Sequence, residues 1–135
     1  MTHCGREKLR LAGLRASRQR IALADILFAE GDRHVSAESL HAEALEADVS
    51  VSVATIYNTL NKFVEAGLLR EIAIDSSKRF FDTKMSNHYH IYFEDEERLV
   101  DIAPGVLEIR NMPDAPEGTE VIGADILIRV RTSSS

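Results

Sequence analysis

The chain has 135 residues, with 16 Lys and Arg against 22 Asp and Glu, a net charge of −6, and a single cysteine, Cys4. That length holds one domain or two small ones. The lack of a long apolar run excludes a membrane-spanning helix, and one cysteine excludes an internal disulfide or a cysteine-rich zinc site. The N-terminus is polar and basic with no apolar segment behind it, so it is not a secretory leader, and a cytoplasmic location is expected.

Charge is unevenly spread. Residues 1–20 carry six Lys or Arg against one acid, whereas residues 71–135 carry seven against thirteen. A basic N-terminal face can follow a phosphate backbone while an acidic body stays soluble. A solvated helix surface is the plainer reading of charge alone.

In chain order, residues 5–13 form a short basic helix ending at Gly13. Ser17 caps a second helix, with Ile21, Leu23, Ala24, Ile26, Leu27 and Phe28 on its apolar face and Gly31 at its end. Ser36 caps a third, with Leu40, Ala44 and Leu45 inward. Asp48–Val51 is a turn. Ser52 caps a fourth, whose Val53, Ile56, Leu60, Phe63 and Val64 keep helical spacing until Gly67. The period then changes. Leu68–Ile74 reads as a strand, Asp75–Lys78 as a turn and Arg79–Asp82 as the returning strand. Residues 83–87 read as a linker. His88–Glu94 and Arg98–Ile102 are strands about a charged turn, with Tyr89, Ile91 and Phe93 on the side expected to be core. Pro104, Pro113 and Pro116 break the next stretch, and Val121–Val130 is a last strand before a polar tail. Helices followed by a hairpin describe a winged helix. The fold class is therefore α+β: a winged-helix DNA-binding domain over 1–83, then a small β-rich α/β dimerisation domain over 84–135.

The fourth helix carries its polar side chains opposite its core face: Thr55, Asn58, Thr59, Asn61 and Lys62. Short or hydrogen-bonding groups with few acids suit entry into a major groove, where the N-terminal residues Ser52, Thr55 and Asn58 read bases and Tyr57 meets a phosphate or a thymine methyl. A plain amphipathic helix fits the pattern equally well.

His88 and His90 are two apart on a strand and share a face. Asp82 ends the wing, His34 precedes the third helix, and Asp101 lies on the strand expected to pair with that of the histidines. Imidazoles and carboxylates without thiolate suit Fe(II) or Mn(II) and tolerate Zn(II). A lone His-x-His on a strand is more often surface than metal site.

The stretches GLRASRQRIALADIL, RHVSAESLHAEAL and SVSVATIYNTLNKFVEAGLL resemble the ferric uptake regulator family, and the resemblance runs over about residues 8–102. It implies a homodimeric regulator that binds A·T-rich palindromic operator DNA, with no membrane and no small-molecule substrate. Arg15 would reach the minor groove, where a cation responds to A·T-rich shape, and Arg20 and Tyr57 would position the protein. It further implies that His34, Asp82, His88, His90 and Asp101 are the regulatory metal ligands. The first two would come from the DNA-binding half and the others from the dimerisation half, so that metal fixes the angle between them.

Where much of that family has a CxxC pair for structural zinc, this chain has Phe93 and Glu96, so no four-cysteine zinc is expected. This departure and the short, Pro-broken stretch after Ala103 resemble the alphaproteobacterial iron response regulator branch. That resemblance implies regulation of iron homeostasis through haem, with His88 or His90 as candidate axial ligands. Cys4 is followed by Gly5, not proline, and reads as an incidental thiol. The alternative is a direct Fe(II), Mn(II) or peroxide sensor on the same scaffold. A metalloenzyme lacks a candidate base in a pocket. The basic N-terminus and the Tyr57 helix argue against a metal-storage or interaction module without DNA.

Overall fold

The computed structural model describes residues 4–85 and 89–133, which fall into two compact units, Met1–Met85 and Ser86–Ser135. The first unit runs α1 (Cys4–Leu11), α2 (Arg18–Leu27), β1 (His34–Val35), α3 (Ala37–Glu46), α4 (Val53–Glu65), β2 (Arg70–Asp75) and β3 (Lys78–Asp82). Three serines start three of the helices. Ser17 accepts from Arg20 N, Ser36 shares a reciprocal box with Ser39, and Ser52 accepts from Thr55 N, each satisfying an amide that the helix cannot.

Helix ends follow the same economy. Gly13 (φ 76°) closes α1, with Leu14 N donating to Leu9 O at 2.9 Å, and Gly67 (φ 81°) closes α4, with Leu68 N donating to Phe63 O at 2.8 Å. Both are left-handed caps that glycine adopts without strain. The same six-residue closure ends α3, where Val49 N donates to Ala44 O at 2.8 Å, but Asp48 holds the left-handed position (φ 59°). The second helix is shorter than its apolar run: it stops at Leu27 with Phe28 as its C-cap, and Gly31 lies in the turn beyond.

The core of this unit is built by Leu9, Leu23, Leu27, Leu40, Ile56, Leu60, Phe63, Leu69 and Phe81. Helix α1 seats closely on α2 through Gly5, whose amide donates to Asp25 Oδ1 at 2.9 Å. A Cβ there would stand 2.9 Å from the Ile21 carbonyl oxygen, so the approach requires glycine.

A three-stranded sheet in the order β1-β3-β2 closes the unit. The wing hairpin β2–β3 is antiparallel, and β1 adds to its other side with His34 opposite Asp82 and Val35 opposite Phe81. The ladder continues past β3: Thr83 N donates to Arg33 O at 2.9 Å and Arg33 N to Thr83 Oγ1 at 3.0 Å. Thr83, just beyond the end of β3, is thus tied to Arg33. Arg33 also forks onto the Glu43 carboxylate, tying the strand edge to α3. The sequence reading has no β1, because a two-residue strand shows no periodicity.

The second unit holds β4 (His90–Phe93), β5 (Arg98–Asp101) and β6 (Leu127–Val130), in the order β5-β4-β6. β4 pairs antiparallel with β5 and parallel with β6. Residues 102–126 are turns and coil, and among the described residues this unit has no helix. Two expectations are corrected. The last strand has four residues instead of ten, because β4 offers only four partners. The buried face of β4 is that of His90 and Tyr92, which lies against Leu99 in register, while Ile91 and Phe93 are partly exposed on the other side. No described helix is long and apolar enough to cross a membrane.

Candidate nucleic-acid interface and metal donors

Helix α4 presents its solvent face to a groove shared with the segment between α1 and α2. Arg15, Ser17, Gln19 and Arg20 line one wall, and Thr55, Asn58, Thr59, Asn61, Lys62 and Glu65 the other. The capped start of α2 turns the chain so that Arg20 Nη1 donates to the Arg15 carbonyl at 3.1 Å, holding the two arginines side by side. Three cations, three carboxamides and two threonines around one cleft make a surface that can meet phosphates with its arginines and base edges with its amides. Of the residues expected to touch DNA, Arg15, Arg20, Thr55 and Asn58 converge here. Gln19 and Glu65 join them unforeseen, since neither stands out by type or spacing.

Ser52 and Tyr57 lie elsewhere. The Ser52 hydroxyl accepts from Thr55 N at 3.1 Å and donates to Thr55 Oγ1 at 3.0 Å, so its role is to start α4 and fix Thr55. Tyr57 sits on the flank of α4, packed against the core edge. Its hydroxyl donates to Glu38 Oε2 at 3.1 Å, and the Arg79 guanidinium lies 5.4 Å from its ring centre. Partial burial, and then the Glu38 carboxylate, push the phenol pKa up, so the hydroxyl keeps its proton.

The metal-donor residues divide between the units. In the first, β1 and β3 place His34 directly across from Asp82. Asp82 is buried and accepts from Lys84 N at 2.9 Å, and the His34 ring stands nearly perpendicular to Phe80 at 6.3 Å. In the second, β4 and β5 place His90 across from Asp101, with Nε2 3.1 Å from Oδ1. His88 lies outside the described residues. Asp82, His90 and Asp101 offer imidazole and carboxylate donors of the class that holds a divalent metal. With Cys4 the only cysteine, a cysteine-rich zinc site cannot form.

A helix-turn-helix with a wing, a cationic groove along its second helix and a thiolate-free His/Asp donor set define a metal-binding, DNA-binding transcriptional regulator, not an enzyme. The chain belongs to the ferric uptake regulator family, whose model matches residues 11–126. It is 37% identical over 106 residues to the peroxide-responsive repressor PerR of Staphylococcus aureus, a match covering 77% of this chain and 70% of that protein. Its fold matches that of the ferric uptake regulator of Pseudomonas aeruginosa with manganese, at a TM-score of 0.72 and 26% identity over 96% of this chain and 98% of that one. The ferric uptake regulator of Francisella tularensis with iron shares the fold, at a TM-score of 0.70 and 19% identity over 89% and 92% of the two chains.

Proposed function

We propose that this protein is a homodimeric repressor that responds directly to a divalent metal, Fe(II) or Mn(II), or to peroxide through it, and binds an A·T-rich palindromic operator. The observation that carries the reading is the repeated pairing of one histidine with one aspartate across a strand ladder: His34 with Asp82, and His90 with Asp101. His34, Asp82, His88, His90 and Asp101 are the proposed ligands. Their donor chemistry fits a borderline-hard divalent ion, and bound Fe(II) would supply the reducing centre that peroxide consumes. Arg15, Arg20, Thr55 and Asn58 act at the DNA, with Ser52 fixing the helix start and Tyr57 on its flank.

Dimerisation is supported by the second sheet. Val100, Ile91 and Ile128 align in register across β5, β4 and β6, and Ile128 and Val121 are exposed. An apolar row on a three-stranded sheet with open edges suits a second copy.

Regulation through haem, at His88 or His90, rests on the sequence departures described above. The named relatives, a peroxide-responsive repressor and a regulator with manganese, favour the metal reading. One experiment covers both: DNA affinity of the purified dimer, measured while Mn(II), Fe(II), haem and then peroxide are added. Tighter binding with Mn(II) or Fe(II), lost with peroxide only when Fe(II) is bound, is the expected result. A response to haem alone overturns the metal reading.

A further inference from the structure

Strand β1 is two residues long and lies at the edge of its sheet, paired with β3 alone. It carries His34, one of the proposed ligands, opposite Asp82, another. On one side of this pair Val35 and Phe81 are buried in the core. On the other, Arg33 and Thr83 are tied by two backbone donors and the Thr83 hydroxyl. Past Val35 the chain enters Ser36, the N-cap of α3. A strand joined to a helix through one residue is a hinge, since φ and ψ at the junction can turn. Arg33 adds a second attachment, about two turns along α3. Its Nη1 donates to Glu43 Oε1 at 2.9 Å and its Nη2 to Oε2. Such a planar fork fixes direction as well as distance. Next to Glu43, Ala44 packs with Leu40 in the core that Ile56 and Leu60 of α4 share.

We propose that the Arg33–Glu43 fork is the brace through which the His34–Asp82 pair governs the placement of α3 and α4, so that Arg33 is a positioning residue for the response of DNA binding to metal. The proposal rests on the metal reading above and deepens it. With one attachment the strand edge can shift without the helices. With two, the edge and α3 move as one body. Donors on a strand edge bias a helix only through a link stiff enough to carry the displacement. The two side chains are 31% and 35% exposed, so the pair contributes little to overall stability. Its loss therefore uncouples the edge from the helix and leaves the fold standing.

The test uses full-length protein and two duplexes: one selected by the wild-type protein from a random-sequence pool, and a scrambled one of the same composition. Arg33→Gln and Glu43→Gln should each cut the Mn(II)-induced gain in affinity for the selected duplex threefold or more, with metal-free affinity for both duplexes unchanged. Charge alone would move Mn(II) affinity up in Arg33→Gln and down in Glu43→Gln, whereas the coupling should fall in both. The double variant should lose no more than either single one, since the two side chains act as a unit. By reciprocity, the selected duplex should raise Mn(II) affinity by the same reduced factor, read by calorimetry. In metal-free protein the Thr83 amide, bonded to Arg33 O, should exchange its hydrogen about threefold faster or more in both variants. A wild-type gain in either folded variant overturns the brace, as does unchanged exchange at Thr83 or a loss that adds in the double variant. Thermal midpoints near wild type show that the variants are folded. If Arg33→Gln does not fold, Glu43→Gln, which leaves β1 intact, decides alone. If the wild type gains and the variants gain equally, only the brace fails. If the wild type itself gains nothing from Mn(II), the metal reading fails and the brace with it.

Discussion

His90 and Asp101 stand opposite each other across β4 and β5, with the buried imidazole Nε2 3.1 Å from the half-exposed carboxylate Oδ1. A carboxylate at that distance can orient the ring as a ligand, besides offering its own oxygen. Asp101→Asn should therefore lower Mn(II) affinity about 10- to 100-fold, and His90→Ala should lower it further, while metal-free protein binds DNA as before. Calorimetric titration with Mn(II) measures this. Wild-type affinity in Asp101→Asn would remove the pair from the metal site.

The groove makes a prediction that separates position from sequence. Arg15→Ala should weaken binding to every duplex and lower the salt slope by about one, as expected for a lost cation near phosphates. Asn58→Ala should leave the slope alone and narrow the gap between selected and scrambled duplexes, because a carboxamide reads a base edge. Affinities across a salt series measure both effects. Equal loss on both duplexes in Asn58→Ala would deny it a base.

Ser52 reads in the sequence as a helix cap and as a base contact, and the structure gives it hydrogen bonds within the first turn of α4. Ser52→Ala should cost about 1 kcal/mol of stability by leaving the Thr55 amide without its acceptor. Ser52→Asp should keep most of that stability, since aspartate caps as well and suits the helix dipole. Urea unfolding of the two variants decides. An alanine variant as stable as wild type would show the cap to be idle.

What the sequence reveals here depends on how local the cause is. Ser17, Ser36 and Ser52 announce three helices because each cap is a bond between residues three apart. The wing is equally plain, since its two strands are neighbours in the chain. β1 exists only because His34 and Val35 pair with Asp82 and Phe81 nearly fifty residues on, and nothing near them states that. The alternation of β4 separates two faces but not which one is covered, and that is decided by Leu99 lying against Tyr92. Both histidine–aspartate pairs follow the same logic. The residue types are visible in the sequence, and their pairing awaits the register.

Asp48 makes a backbone prediction. It caps α3 at φ 59°, a conformation that costs an L-residue energy, and the caps of α1 and α4 use glycine at the same position. Asp48→Gly should raise stability by about 0.5 kcal/mol, the relief of strain outweighing the extra freedom of the unfolded chain. The urea midpoint should move up with the slope unchanged. A lower midpoint would mean that the Asp48 side chain contributes more than its backbone costs.

The last prediction follows from what holds the second unit together. Its sheet has three strands of four residues each, joined by hydrogen bonds, a buried Tyr92 and Leu99, and the ion pair of Arg129 with Glu94 at 3.7 Å. Asp95 adds a tie of a different kind: its carboxylate accepts from Thr132 N at 2.7 Å and clamps the chain beyond β6 to the β4–β5 turn. The Thr132 side-chain hydroxyl and then this amide bond hold the Asp95 carboxyl below its usual range. None of these contacts involves a thiolate, and the sole cysteine lies at residue 4. Proteins stapled by structural zinc lose folding energy when the metal is removed, because metal binding is then part of folding. This chain should not. Chelation should abolish the response of DNA binding to Mn(II) while the circular dichroism spectrum and the sedimentation coefficient stay within error of untreated protein. Unfolding on chelation would show that a metal holds the fold, and would assign the His/Asp donors a structural role in place of the proposed regulatory one.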